Sequence, residues 1–239
     1  MIDHHLAKLR ARSVLSREEE EAIRSSVARI EDYPADRIVV PSHRSLDHST
    51  LLLDGIMCRS KALLNGERQI TELHVAGDFA DLHSFTLKYL DHEVLTLTRC
   101  RAAIVPHEAL RAITERFPGL ARIYWFATNL DAAIQREWAV SLGRRPARAR
   151  LAALFCELQV RLEIVGLTEG PYFDLPLTQT DLAECMGLTN VHVNRTLRDL
   201  KQEGLLAFRS GRAHVIDRDR LRSVAEFDPA YLYLGREAR

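Results

Sequence analysis

The sequence has little of several features that define protein classes. Only 4 of its 239 residues are cysteine, without a CxxC pair, and the 11 glycines and 8 prolines are scattered. This composition excludes collagen-like and low-complexity chains, and free, mostly buried thiols are expected. No apolar run approaches the ~18 residues of a membrane helix. The charged N-terminus does not suit a secretory signal, so we expect a cytoplasmic protein that is not associated with a membrane.

Net charge is also absent, because 33 Lys and Arg balance 33 Asp and Glu. This balance excludes a protein that coats nucleic acid by bulk charge, but it allows a local basic surface. No glycine-rich loop joins a strand to a helix, so a dinucleotide or P-loop site is not expected. The chain is 46% hydrophobic, which is enough for a real core.

The first half of the sequence predicts a helix followed by many short strands. Residues 4–30 are predicted to be helical, with a capping box formed by Ser16 and Glu19. Short β-type runs separated by turn residues follow, at 36–41, 50–54, 56–64, 69–75 and 94–105. Such spacing is typical of an antiparallel sandwich or jelly roll.

Helices return after Pro106, at 107–117 and 120–142. The longer helix carries a heptad seam, formed by Leu120, Ile123, Ala127, Leu130 and Ile134. About two heptads are too few to establish a coiled coil, so the seam could pack on its own domain or against a second chain. A hinge at 143–146 precedes another helix, which divides the chain into 1–118, 119–143 and 144–239.

The segment 177–216 has the proportions of a helix-turn-helix followed by a hairpin. Thr178 and Asp181 form a second capping signal for a helix over 179–186, and Gly187 suits the turn that ends it. Thr189 can then cap a helix over 189–203. The hairpin at 205–216 carries Arg209 and Arg212 at its tip, which is typical of the wing of a winged helix.

These elements predict an interface with double-stranded DNA. The N-terminal half of the helix 189–203 would enter the major groove and read bases through Asn190, Val191, Asn194 and Arg195. Thr189, Arg198, Arg209 and Arg212 would hold phosphates. Thr178, Gln179 and His192 complete the predicted DNA-binding set.

With its β-rich first half, long helix and winged helix, the chain resembles the Crp/Fnr superfamily of bacterial transcription regulators. The resemblance implies an α+β fold, with a cyclic-nucleotide-binding-like, effector-sensing jelly roll in 1–118, a dimerisation helix in 119–143 and a winged-helix DNA-binding domain in 144–239. It implies a homodimer joined along the seam, a palindromic DNA site and RNA polymerase as a further partner.

The recognition helix matches that family only in part. Family members commonly have a Glu, two further residues and Ser-Arg, where this chain has Val191, His192, Val193, Asn194 and Arg195. Arg195 matches the arginine that reads guanine, and a phosphate contact alone is its alternative role. Val191 removes a contact to cytosine and makes a contact to a thymine methyl group possible.

The sensory half departs further from the resemblance. Cyclic-AMP-binding members place an arginine about ten residues after a Gly-Glu turn, whereas the segment 90–93 here is Leu-Asp-His-Glu, so cyclic AMP is not expected. The N-terminal cysteine cluster of oxygen-sensing members is absent. No cofactor or metal is predicted, although haem, another effector or no effector remain open. A pocket, if present, would include Gly77, Asp78, Asp81, His83, Ser84 and His92.

An enzyme is the alternative from a different class. The one crowded ionisable stretch contains Asp78, Asp81, His83, Asp91, His92 and Glu93. No spaced His/Glu set of a jelly-roll metalloenzyme occurs, and neighbours in sequence do not by themselves make a convergent site. The sequence therefore predicts a DNA-binding regulator rather than an enzyme.

Overall fold

A computed structural model describes residues 1–235. Its helices are α1 (Asp3–Arg10), α2 (Arg17–Ser25), α3 (Ser84–Leu87), α4 (His107–Arg116), α5 (Pro118–Arg144), α6 (Ala147–Ile164), α7 (Gln179–Met186), α8 (Asn190–Gln202) and α9 (Arg218–Ala225). Its strands are β1 (Arg29–Tyr33), β2 (Ile38–Val40), β3 (His48–Asp54), β4 (Met57–Ala62), β5 (Arg68–His74), β6 (Glu93–Thr96), β7 (Cys100–Pro106), β8 (Tyr172–Asp174), β9 (Leu206–Arg209) and β10 (Arg212–Val215). A 3₁₀ turn, Pro229–Leu232, follows α9. The last four residues of the predicted 144–239 domain lie outside the described residues.

The first seven strands form two antiparallel sheets. One sheet has the order β1-β7-β3, and the other has the order β2-β6-β4-β5. The three C-terminal strands form a small separate sheet in the order β8-β10-β9. The predicted α+β fold, with a β-rich first half, a long helix and a winged helix, is therefore confirmed.

The prediction of one helix over residues 4–30 is wrong. The chain leaves helical geometry after α1 and begins α2 at the Ser16 cap, whose side chain and that of Glu19 form the expected capping box. The helix α2 ends at Ser25, and the following residues pair with β7 as strand β1, with Ile30 opposite Ala103. Ile30 kept helical spacing in the sequence, but pairing with a strand 70 residues away overrode that local pattern.

The single strand predicted over residues 94–105 is two strands. Strand β6 belongs to the four-stranded sheet and β7 to the three-stranded sheet, so the chain crosses between sheets at 97–99. The crossing is fixed by Thr98, whose hydroxyl accepts a hydrogen bond from the backbone N–H of Ile56 at 2.9 Å. No glycine or proline marks this corner in residues 94–105, so the sequence pattern did not reveal it.

The seam predicted as a dimer interface faces the interior of its own chain. Leu120, Ile123, Leu130 and Ile134 are each at most 4% exposed, and Ala127 packs beside them. Leu120 and Ile123 join a core with α1, α4 and β7, whereas Leu130 and Ile134 pack with α6. Side chains covered by their own chain have little surface left for a second copy, and the dimer interface assigned to them stays a prediction.

One core extends from the β-sheets into the winged helix. Ile70 and Leu73 of β5 belong to the same buried cluster as Phe155 of α6 and Leu182 of α7. The division at residues 118 and 143 stays a prediction, because packing continues across it. All four cysteines are free and buried, as expected. Among residues 1–235, no helix is both long and apolar enough to cross a membrane.

Candidate nucleic-acid interface

The helix α7 begins and ends where the sequence indicates. The Thr178 hydroxyl accepts a hydrogen bond from the backbone N–H of Asp181, and the Asp181 carboxylate accepts one from the Thr178 N–H at 2.7 Å. At the other end, Gly187 has φ +60° and ψ +45°, the left-handed conformation that glycine adopts without steric cost. These two signals set the length of the helix and the direction in which the chain turns into α8.

The helix α8 has one buried face and one exposed face. Thr189 caps it by accepting a hydrogen bond from the His192 N–H at 3.2 Å. Val193, Leu197 and Leu200 are buried against the rest of the winged helix. The opposite face therefore projects into solvent at the N-terminal half of the helix.

A chain of hydrogen bonds orders polar side chains on this exposed face. Arg198 donates to the amide oxygen of Asn194 at 3.2 Å, and the Asn194 amide nitrogen donates to Gln179 at 3.3 Å. Asn190 donates to the Thr180 hydroxyl at 3.1 Å. The first helix thus positions two asparagines of the second, which reduces the side-chain entropy lost on binding.

Two predicted base-reading residues are free of such contacts. Val191 is 80% exposed, and the exposed side chain of Arg195 makes no hydrogen bond or ion pair with any other residue in 1–235. An unpaired guanidinium on the outer face of a helix can offer two parallel N–H donors to an acceptor pair, such as guanine O6 and N7. Nothing in its own chain competes for the Arg195 donors.

The wing is a two-residue hairpin between β9 and β10. Ser210 and Gly211 both have positive φ, as a type I′ turn requires, and a Cβ on Gly211 would lie 2.9 Å from the Cα of Pro176. Arg209 is exposed at the tip. Arg212 instead pairs with Glu169 and lies over the Tyr172 ring, 5.5 Å from its centroid. A phosphate contact by Arg212 would therefore have to compete with Glu169.

Side chains far away in sequence hold the C-terminus of α7. Gln69 of β5 donates to the carbonyls of Glu184 at 2.7 Å and Cys185 at 3.2 Å, and Arg150 donates to that of Met186 at 2.9 Å. The last carbonyls of a helix have no partners within the helix, so these three bonds satisfy them. Sequence analysis missed Gln69 and Arg150, because no local pattern links them to α7.

An ion pair also connects the β-sheet half to α7. Arg68, next to Gln69, forms an ion pair with Glu184, with the Nε donating at 2.8 Å. The pair is only partly buried, so its own contribution is expected to be small. Together with the bonds from Gln69, it fixes the first helix of the helix-turn-helix against the β4–β5 hairpin.

The six residues predicted as an effector pocket fall into separate contact sets. The Gly77 carbonyl binds the His5 ring, and Asp81 accepts from the Thr50 N–H. Ser84 bonds His107 at 3.1 Å, and His83 and His92 contact each other. Burial raises the pKa of Asp81 to about 6, although the hydrogen bonds from Thr50 oppose this. The six residues therefore do not line one common pocket, and their role in binding an effector stays a prediction.

Asp78, the remaining member of that set, joins the two halves of the chain. Its carboxylate accepts from Arg161 of α6 at 2.7 Å and also pairs with Lys8 of α1. Burial alone would raise the pKa of Asp78, but the charges of Lys8 and Arg161 hold it well below its usual range. Arg161 also donates to Glu157 at 2.9 Å. Asp78 is thus committed to an ion-pair network rather than free to bind an effector.

Comparison with known proteins also indicates a DNA-binding role for this segment. Residues 149–224 match the family described as the Crp-like helix-turn-helix domain. The chain is 31% identical to the transcriptional activator protein FnrL of Cereibacter sphaeroides, over 91% of this chain and 89% of that protein. It is also 31% identical to the nitrogen fixation regulation protein FixK of Bradyrhizobium diazoefficiens, over 73% of this chain and 72% of that protein.

The fold also matches solved structures. The structure of FixK2 from Bradyrhizobium japonicum superposes with a TM-score of 0.76 and 23% identity, and covers 83% of this chain and 97% of that one. At that identity the match concerns the fold alone. It extends over both the β-sheet half and the winged helix.

Proposed function

The chain belongs to the Crp/Fnr superfamily of DNA-binding transcription regulators, and from this we propose that it acts as a homodimer on a palindromic DNA site. The relatives named above are regulators rather than enzymes, and so is this protein. The observation that carries the proposal is the exposed N-terminal half of α8, where Arg195 has no competing partner in residues 1–235. Two such helices in a dimer would meet half-sites ~34 Å apart.

The proposed division of labour follows the geometry of the interface. Arg195 would read a guanine, and the exposed Val191 would contact the methyl group of a thymine. Asn190 and Asn194, ordered by the first helix, would reach adenine edges or phosphates. The remaining contacts would hold the DNA backbone, through Thr178, Gln179, Thr189, His192, Arg198, Arg209 and Arg212.

Selection of bound sequences from random duplex DNA tests this proposal. We expect an inverted repeat with one guanine and one thymine in each half-site at fixed spacing. A selection that enriches no sequence, or enriches a single half-site without a repeat, would contradict it. The same experiment on a variant with Val191→Thr, which keeps a methyl group, is expected to return the same repeat.

An exposed stripe on α5 is the surface that we propose joins the two copies. Its members recur at +3 and +4 spacing and are all exposed: Arg122, Trp125, Asn129, Ala132, Arg136, Ala139 and Gly143. Trp125 is 71% exposed, which is costly for an indole without a partner. Asn129 occupies an a position if Trp125 is a d position, and a single asparagine there favours a parallel dimer in one register.

Replacing Ala132 with glutamate is expected to separate the dimer. Two carboxylates would face each other across the two-fold axis, while the exposed position spares the fold of each chain. Sedimentation velocity should change from a dimer, with twice the 27.2 kDa of one chain, to a monomer. Ala112→Glu, at an exposed position of α4, is the matched control and should remain dimeric. If both variants sediment alike, the stripe is not the interface.

We propose further that cyclic AMP is not the effector. A cyclic phosphate needs an unpaired arginine, but the buried Arg59 of β4 donates to Glu72 at 2.6 Å and Asp131 at 2.9 Å. Asp91 and Glu93 stand where the resemblance places the phosphate-binding arginine, and they would repel an anion. Regulation would then depend on another effector or on the amount of protein.

The remaining partner and location follow from the proposed role. FnrL is named a transcriptional activator, and an activator works by contacting RNA polymerase beside its DNA site. We propose RNA polymerase as the second partner of this protein and the cytoplasm as its location.

A further inference from the structure

Two histidines that the DNA-binding role does not use lie side by side on the β-sheet half. His83 directly precedes α3, and His92 directly precedes β6. Their rings stack with centroids 5.2 Å apart and planes inclined by 28°, and their Nε2 atoms are 3.4 Å apart. Both side chains are partly exposed, so solvent and small ions can reach them.

The distance between these nitrogens suits a shared metal ion. A tetrahedral ion with metal–nitrogen bonds of about 2.0–2.1 Å separates two imidazole ligands by about 3.3–3.4 Å. An ion could therefore replace the hydrogen bond between the two rings without a shift of the backbone. Two axial ligands of one haem, in contrast, lie on opposite faces of the porphyrin, and the stacked rings leave no space for it.

The neighbours of His92 resemble the outer shell of a metal site. The Nδ1 of His92 lies 3.0 Å from one oxygen of Asp91, whose other oxygen accepts from Lys61 at 2.7 Å. A carboxylate on Nδ1 fixes the tautomer in which Nε2 carries the lone pair.

We propose that His83 and His92 bind one divalent transition-metal ion, such as Zn²⁺, through their Nε2 atoms. Neutral imidazole nitrogen favours Zn²⁺, Co²⁺ and Ni²⁺ over Mg²⁺ and Ca²⁺. Within residues 1–235 no group of three or more His, Cys, Asp or Glu side chains is placed to hold an ion, so water would complete the coordination. Two positive charges lie nearby, and both are already paired: Arg59 with Glu72 and Asp131, and Lys61 with Asp91.

Titration of the untagged full-length protein with Zn²⁺, in competition with a chromophoric chelator, tests the proposal. We expect one ion per chain, and loss of that ion in both His83→Gln and His92→Gln. Asp91→Asn, at an exposed side chain that the fold does not need, should weaken binding 10- to 100-fold. Co²⁺ in place of Zn²⁺ should give the visible absorption of a four-coordinate site.

His48→Gln is the matched control for this titration. The His48 ring also pairs with a carboxylate, Asp47 at 2.7 Å, but within the described residues this ring bonds no second imidazole. The control should bind Zn²⁺ as the unchanged protein does. Absence of binding to the unchanged protein would overturn the proposal, and so would equal binding by the His83, His92 and His48 variants.

Discussion

Replacement of Arg195 with alanine is expected to weaken binding of the dimer to its specific site by about 2–6 kcal/mol. The estimate is about 1–3 kcal/mol for each lost bidentate contact to guanine, and a palindromic site contains two of them. This corresponds to a loss of about 30-fold to 20,000-fold in affinity. Binding to non-specific DNA should change little, because that term comes from phosphate contacts. Fluorescence anisotropy with both DNAs at one fixed salt concentration measures the difference.

Arg209→Ala is the matched control for Arg195→Ala. Arg209 is exposed at the tip of the wing, where we expect it to contact phosphates. Its loss should weaken specific and non-specific binding alike and reduce the salt dependence by about one phosphate contact per subunit. If Arg195→Ala behaves in the same way, Arg195 holds only phosphate and the base-reading role is wrong.

The second large effect is expected from Arg161→Met, which should destabilise the protein by about 3–5 kcal/mol. Arg161 is 7% exposed and pairs with Asp78 and Glu157, so its removal leaves buried carboxylates with less compensation. For a chain of this length, the loss corresponds to a melting temperature lower by about 6–20 °C. Differential scanning calorimetry provides the measurement.

The pH dependence of this loss has a definite sign. Asp78 has a lowered pKa in the folded protein, so its ion pairs stabilise the fold fully above the ordinary pKa of an aspartate, about 4. This stabilisation is lost progressively as the pH falls from there through the lower pKa of the folded state. The difference in free energy of unfolding between the unchanged protein and Arg161→Met should therefore decrease as the pH is lowered. Arg111→Met, at an exposed position of α4, is expected to change stability by less than about 0.5 kcal/mol. If Arg161→Met lowers the free energy of unfolding no more than Arg111→Met does, the ion-pair network is unimportant for stability.

The sequence predicts the local parts of the candidate site well. The Thr178 and Thr189 caps, the left-handed Gly187 and the hairpin turn at Ser210 all depend on residues within four positions of each other. Their hydrogen bonds and dihedral preferences act at short range, so a single sequence contains the information. The bounds of α7, α8 and the β9–β10 hairpin consequently agree with the prediction to within one or two residues, whereas β8 and α9 were not predicted.

Contacts between distant segments could not be predicted in this way. On α5, two stripes offset by two residues, one beginning at Leu120 and the other at Arg122, share the same +3 and +4 spacing. Hydrophobicity selects the first stripe, which is the one that the chain's own core covers. Likewise, Gln69 and α7 are 115 residues apart, and only the folded chain shows that one satisfies the carbonyls of the other.

The contacts between the β4–β5 hairpin and α7 limit which parts of this protein can be exchanged with those of other proteins. A winged helix grafted onto a foreign sensor would lose Gln69, leave the Glu184 and Cys185 carbonyls without their partner, and expose the apolar surface that packs on Ile70 and Leu73. A functional chimera must therefore contain the β4–β5 hairpin together with the winged helix. The part of this chain that can be transferred to another protein is therefore the DNA-binding domain together with the β4–β5 hairpin that supports it, and not the domain alone.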